Sequence, residues 1–127
     1  MLDKILFMAL AGAVGTLSRA GLTSVVQRAL GPSFPWGTLL VNVTGCLLFG
    51  MAYVLIGERA KSVDAVRLIV LTGFMGAFTT FSTYAFDVGT LALRGRTIAA
   101  LANFAAQNAI GIGALVGGLA LGRVLWQ

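Results

Sequence analysis

Four apolar stretches, at about 5–27, 36–57, 66–91 and 97–122, take up nearly the whole chain and decide what it can fold into. Each is long enough to cross a bilayer as a helix, which takes about 20 residues. In hydrocarbon no water satisfies backbone N–H and C=O groups, so each stretch must pair its own by winding into a helix. Charge points the same way. Only 10% of residues are charged and 58% are hydrophobic, where a soluble domain carries roughly 25% charged residues. The expectation is an all-α membrane protein, one four-helix transmembrane domain over 1–127, with no soluble domain or linker left over.

The first stretch follows Lys4 and resembles a signal sequence in isolation. Three further spans of the same character identify it as the first helix. Cys46 is the only cysteine, so no intrachain disulfide forms, and there is no histidine. Zinc therefore lacks its usual ligands, and histidine acid–base chemistry is excluded. No nucleophile–base pair or cofactor motif is present, so an enzyme has no support. The net charge is +5. The basic residues stand at span ends, which reads as anchoring at the lipid interface rather than nucleic-acid binding.

Four spans put both termini on one side. Lys4, Arg59, Lys61, Arg67 and Arg123 share that side, against Arg19, Arg28, Arg94 and Arg96, a tally of five to four. Orientation follows a clear excess of Lys and Arg on the cytoplasmic side. Here the excess is nearly flat, so the chain is expected to insert both ways up and to pair as an antiparallel, dual-topology homodimer. The 17 glycines fit close helix contacts in lipid. Gly113-x-x-x-Gly117 and Gly118-x-x-x-Gly122 in the last span serve either contacts within one subunit or contacts between two.

The third span is the unusual one. In Leu71-Thr-Gly-Phe-Met-Gly-Ala-Phe-Thr-Thr-Phe-Ser-Thr-Tyr84, Gly73 and Gly76 invite a break in the helix near its middle. The hydroxyls of Thr79, Thr80, Ser82 and Thr83 follow, interleaved with Phe78, Phe81 and Tyr84. Irregular backbone at membrane depth survives only where protein or a water-filled path satisfies it, and such interruptions point to ion or substrate sites. In span two, Asn42 is the only strongly polar side chain, with Thr38 one turn before it on the same face. Its amide offers two N–H donors, which suits a small, strongly hydrated anion. An interhelical hydrogen bond is the other use for it, and the third-span string beside it favours the pore. Phe81 and Tyr84, three apart, stack along one face, either as packing or with electropositive ring edges toward an anion. Asn103, Gln107 and Gly111 recur every four residues in span four, a polar stripe that ends in a space; Asn103 and Gln107 are read as lining a permeation path, and Asn108 is the third carboxamide of the span. Arg19 late in span one either snorkels to the interface or draws anions into a vestibule. Asp87 is its candidate partner, or simply lies near its span end. Glu58, Arg59, Lys61 and Asp64 read as a solvated loop.

These strings carry a family resemblance. Gly73-Phe-Met-Gly-Ala-Phe-Thr-Thr-Phe-Ser-Thr-Tyr84 resembles the third-helix signature of the small bacterial fluoride channels of the Fluc or CrcB family. Gly37-Thr-Leu-Leu-Val-Asn42-Val-Thr-Gly45 and Gly12-Ala-Val-Gly-Thr-Leu-Ser-Arg19 resemble its second- and first-helix motifs. The resemblance implies a passive fluoride channel in the bacterial inner membrane, a dual-topology homodimer that exports cytoplasmic fluoride. It implies pore roles for Asn42, Phe81 and the position of Tyr84, where phenylalanine is usual. Ser82, Thr83 and Thr38 join them, with Asn103 and Gln107 where many relatives have hydroxyls, and Arg19 at the vestibule. It also implies a central structural Na+, not transported, on the backbone carbonyls of Gly76 and Thr79. A proton-coupled exporter of organic cations is the alternative. It needs a membrane-buried acid, for which span one has none and Asp87 is the late candidate. A non-conducting assembly subunit would explain the glycines but not Asn42 with the hydroxyl and aromatic string.

Overall fold

In the computed structural model, residues 2–59 and 63–125 are described, and every regular element among them is helical. Helix α1 spans Leu2–Leu30 and α2 spans Trp36–Arg59. The third span begins with α3 (Val63–Arg67), widens into a π-helix (Leu68–Met75) and narrows again as α4 (Gly76–Phe78). It resumes as α5 (Phe81–Leu93), and α6 spans Thr97–Val124. The four apolar helical spans are Leu2–Leu30, Trp36–Gly57, Asp64–Leu93 and Thr97–Val124, so this is a multi-pass membrane protein. The helices outrun the apolar stretches by a few residues at most ends. The 29 residues of α1 reach about 43 Å at 1.5 Å per residue, enough for the hydrocarbon plus headgroup layers. Glu58 and Arg59, expected in a loop, belong instead to the end of α2, and Asp64 to the first turn of α3. Lys61 lies outside the described residues.

Glycine sets which helices touch. A Cβ on Gly50 or Gly118 would strike the facing backbone of α6 or α2, and one on Gly122 would crowd Met51 and Val54. The parallel helices α2 and α6 therefore meet backbone to backbone, the close approach small residues allow in lipid. Gly15 does the same for α1, since its Cβ would strike Phe74 O. Gly73 presses on Met8 and Ala11. In contrast, Gly113 and Gly117 meet nothing within 4 Å among the described residues. The two glycine pairs of α6 are thus divided, one packed inside the chain and one on an open face.

The turns are built locally. Gly31 and Gly95 take φ of +82° and +72°, left-handed values natural to glycine. Gln27 ties the first turn together, donating to the carbonyls of Gly31 and Phe34 and accepting from Gly37 N–H. At the opposite end of α2, the Arg67 guanidinium lies 4.9 Å over the Tyr53 ring.

The third span leaves helical geometry at Thr79 (φ −82°, ψ 159°) and Thr80 (φ −148°, ψ 113°). The glycines expected to break it do not: Gly73 is inside the π-helix and Gly76 is helical, at φ −62°, ψ −34°. Their small size serves packing, while the two threonines offer side-chain partners for the backbone that leaves the helix. Thr79 Oγ1 donates to Met75 O at 3.0 Å, and Thr80 Oγ1 caps α5 by accepting from Thr83 N–H at 3.2 Å. The interruption changes the span's neighbour: the π-helix and α4 pack on α1, whereas α5 packs on α6.

Candidate functional site

The break is held by one side chain from another helix. Thr80 N–H donates to Asn42 Oδ1 at 2.8 Å, and Asn42 Nδ2 donates to Thr80 C=O at 3.1 Å. The second N–H of Asn42 donates to Gln107 Oε1, also at 3.1 Å. This corrects the sequence reading. The two donors expected to be free for an anion are both engaged within the chain, because an extended Thr80 needs a partner that the helix no longer supplies. Gln107 Nε2, by contrast, is buried and has no hydrogen-bond partner. Asn103, one turn earlier on α6, is fully buried with neither Nδ2 nor Oδ1 partnered.

Asn42, Thr80 and Gln107 border a groove of about 420 Å³, which Asn103 does not line. Asn42, Gly45, Cys46 and Phe49 line it from α2. Thr79, Thr80, Phe81 and Tyr84 line it from the broken span, and Gln107, Asn108 and Leu115 from α6. The Phe81 and Tyr84 rings stand edge to face, 5.5 Å apart at 68°, a favourable aromatic geometry. They differ in depth: Tyr84 is buried, whereas Phe81 is 78% exposed. The Tyr84 hydroxyl accepts from Asn108 Nδ2 at 2.9 Å. The hydroxyls of Ser82 and Thr83 gather round Thr80 Oγ1, at 3.3 and 3.0 Å, at the start of α5.

Thr38 and Asp87 belong to a second cavity, of about 450 Å³, on the side of the two short turns. Thr38 Oγ1 donates to Asp87 Oδ2 at 2.7 Å. Thr83, Arg94 and Arg96 also line this cavity. Arg19 lines neither cavity. It is half-buried on α1 with Nε unpartnered, and Asp87 bonds Thr38 rather than it. The basic residues that line the second cavity are Arg94 and Arg96, which the sequence alone marks only as interface anchors.

Gly76 and Thr79 can offer carbonyl oxygens. The N–H that would bond Gly76 O in an unbroken helix belongs to Thr80, which donates to Asn42 instead. The N–H due to Thr79 O belongs to Thr83, which donates to Thr80 Oγ1. Among the described residues no hydrogen bond reaches either carbonyl. No cluster of three His, Cys, Asp or Glu side chains occurs among those residues, and backbone carbonyls are among the oxygen ligands a hard cation takes. The residues that sequence reasoning left without a role are Thr80 and Asn108. Thr80 stood in the hydroxyl string and could have been read as a helix N-cap. Asn108 lies next to Gln107 but about 100° round the helix, off the stripe.

Comparison with known proteins gives this geometry a setting. The family model described as CrcB-like protein, Camphor Resistance (CrcB), matches residues 6–119. A protein of Solidesulfovibrio magneticus called fluoride-specific ion channel FluC is 50% identical over 98% of this chain and 100% of its own length. Proteins of the same name from Nitrosococcus oceani (45% identical, 98% of this chain, 100% of that protein) and Rhizobium etli (41% identical, 93% and 94%) are similar as well. A family match over most of the length, with relatives up to half identical end to end, shows that the chain belongs to the CrcB family.

Proposed function

We propose that the protein is a fluoride-selective passive channel, working as an antiparallel, dual-topology homodimer in the bacterial inner membrane. Its family is one of ion channels and not of enzymes. The observation that carries the reading is the groove at the third-span break, where a partnerless buried N–H group, a hydroxyl and aromatic rings converge without any fixed charge among the lining residues. Such a lining can replace the water hydrogen bonds of a small anion without a permanent cation to trap it, and conduction needs binding weak enough to release the ion. Phe81 presents a ring to the groove, Ser82, Thr83 and Thr38 continue the polar path toward the second cavity, and Asn103 and Gln107 flank it. Arg19 is assigned to the vestibule of the assembled dimer.

The physical logic of export needs no coupling. Hydrogen fluoride is a neutral weak acid that crosses lipid and dissociates in the more alkaline cytoplasm, which traps the anion. A negative-inside potential of 100 mV drives it out with about 2.3 kcal/mol per charge. Exposed Phe81 in mid-span and the open face at Gly113 and Gly117 favour a second copy. Two antiparallel copies meeting at their breaks would bring the carbonyls of Gly76 and Thr79 from each around one structural Na+, whose charge offsets the carbonyl dipoles. The unpartnered state of those carbonyls supports this.

The test is fluoride efflux from liposomes holding the purified protein, read by a fluoride electrode with a potassium–valinomycin shunt and chloride run in parallel. Rapid fluoride release without matching chloride release is expected. Release that appears only with a proton gradient would favour the coupled exporter, and none from folded, dimeric protein would favour the non-conducting subunit.

A further inference from the structure

Two hydrogen-bond chains at the break have a direction that chemistry fixes. A backbone N–H can only donate and a backbone C=O can only accept. Asn42 bonds both groups of Thr80, so its amide cannot be turned over. Its remaining N–H faces Gln107, which must therefore offer its oxygen. Both hydrogens of Gln107 Nε2 are left over. The residue is 9% exposed and that nitrogen has no partner. The second chain runs through Asn108. Its Nδ2 donates to the Phe104 carbonyl at 2.7 Å, which fixes that amide as well. Its other N–H donates to the Tyr84 hydroxyl. A hydroxyl that accepts in this way keeps its own proton free. Gln107 and Tyr84 line one groove.

We infer that these relays set the polarity of the groove. Gln107 Nε2 and the Tyr84 hydroxyl are the donors that contact the anion. Asn42 and Asn108 are positioning residues that hold them donor-outward. The inference rests on the channel reading for the identity of the anion. Gln107 Oε1 already accepts from Asn42, so this side chain offers a cation at most one remaining lone pair, against two unpartnered N–H donors for an anion. Asn103 differs, since both its polar atoms are open. It suits water, which donates and accepts, and it gives no preference for an anion. Selection therefore falls on Gln107. The same logic gives Tyr84, where phenylalanine is usual, a use: it adds a donor whose direction a neighbouring amide enforces.

The test is the side-chain amide spectrum of 15N-labelled protein in micelles, titrated with sodium fluoride at constant sodium. The chain has three glutamines and three asparagines, so single substitutions assign the signals. The Gln107 amide pair is expected to shift most, and the Asn42 pair to move far less. In liposomes, Gln107→Met is expected to lower fluoride flux by about tenfold to a hundredfold, the range for one hydrogen bond to a charged partner. Gln107→Glu, which still accepts from Asn42 but has no donor, serves the same purpose should the Met variant unfold. Asn42→Asp lets Gln107 turn over and is expected to lose flux too, with no further loss when Gln107→Met is added. A fluoride shift at Asn42 rather than Gln107, or losses that multiply in the double variant, would overturn the relay. Wild-type protein that passes no fluoride would remove the channel reading, and the amide titration would still decide the relay.

Discussion

Phe81 sits beside the break at the middle of its span, yet it is the more exposed of the two stacked rings. Its partner Tyr84 is held from behind by Asn108, so Phe81 is the ring free to meet something outside its own subunit. Losing an exposed ring costs a subunit little, whereas burial of a Phe side chain is worth about 1.5–3 kcal/mol. Phe81→Ile is therefore expected to leave the melting temperature of the detergent-solubilised protein within a few degrees of wild type, and to lower fluoride efflux at least tenfold. Normal efflux from this variant, correctly inserted, would take Phe81 out of the pore. At this scale the sequence announced the polar residues but not their states. Asn42 was conspicuous as the lone strong polar group of its span. Whether its donors are free depends on Thr80, 38 positions away, and on the extended backbone there. Asn108 escaped a role because a stripe drawn every fourth residue passes it by, although its bond to Tyr84 crosses helices.

Hydropathy alone located the four spans to within a few residues, since lipid leaves a long apolar segment no option but helix. The position of the break was less legible. Glycine marks both a possible kink and a close approach, and the surroundings decide which. Here Gly73 is pressed against Met8 and Ala11, and the interruption falls on threonines that carry their own partners. The same ambiguity in α6 separates adjacent residues. A Cβ on Gly118 would enter the backbone of Leu47 and Met51, while one on Gly117 meets nothing. Gly118→Val is thus expected to force α2 and α6 apart. It should cost at least the roughly 1–3 kcal/mol of an overpacked contact, visible as a lower melting temperature and loss of monodisperse protein on size exclusion. Gly117→Val should leave the subunit fold intact. Equal damage from both would mean that α6 is rotated about its axis from the arrangement described.

For the whole molecule the deciding quantity is the near balance of basic residues between the two sides. A strong excess would commit every copy to one orientation, and an antiparallel pair could not form. Charge-biased variants make this testable. Arg28→Gln with Leu2→Lys adds positive charge to the terminal side and removes it from the other; Leu2 is 81% exposed, so the new side chain meets no packing. Lys4→Gln and Arg123→Gln with Ser33→Lys bias the chain the opposite way. None of these positions lines the groove at the break, and among them only Ser33 borders the second cavity; each change alters a flank rather than an apolar span. Each variant expressed alone is expected to insert in one direction and to give membrane vesicles with little fluoride efflux. The two expressed together supply both orientations and should restore efflux to near the wild-type rate. Orientation is read independently by labelling a cysteine placed at the N-terminus with a membrane-impermeant reagent, in a Cys46→Ala background. Wild-type efflux from either variant alone, with its orientation shown to be uniform, would rule out the antiparallel pair. It would leave conduction to a parallel assembly, in which the two sets of third-span carbonyls could not approach one ion from opposite directions.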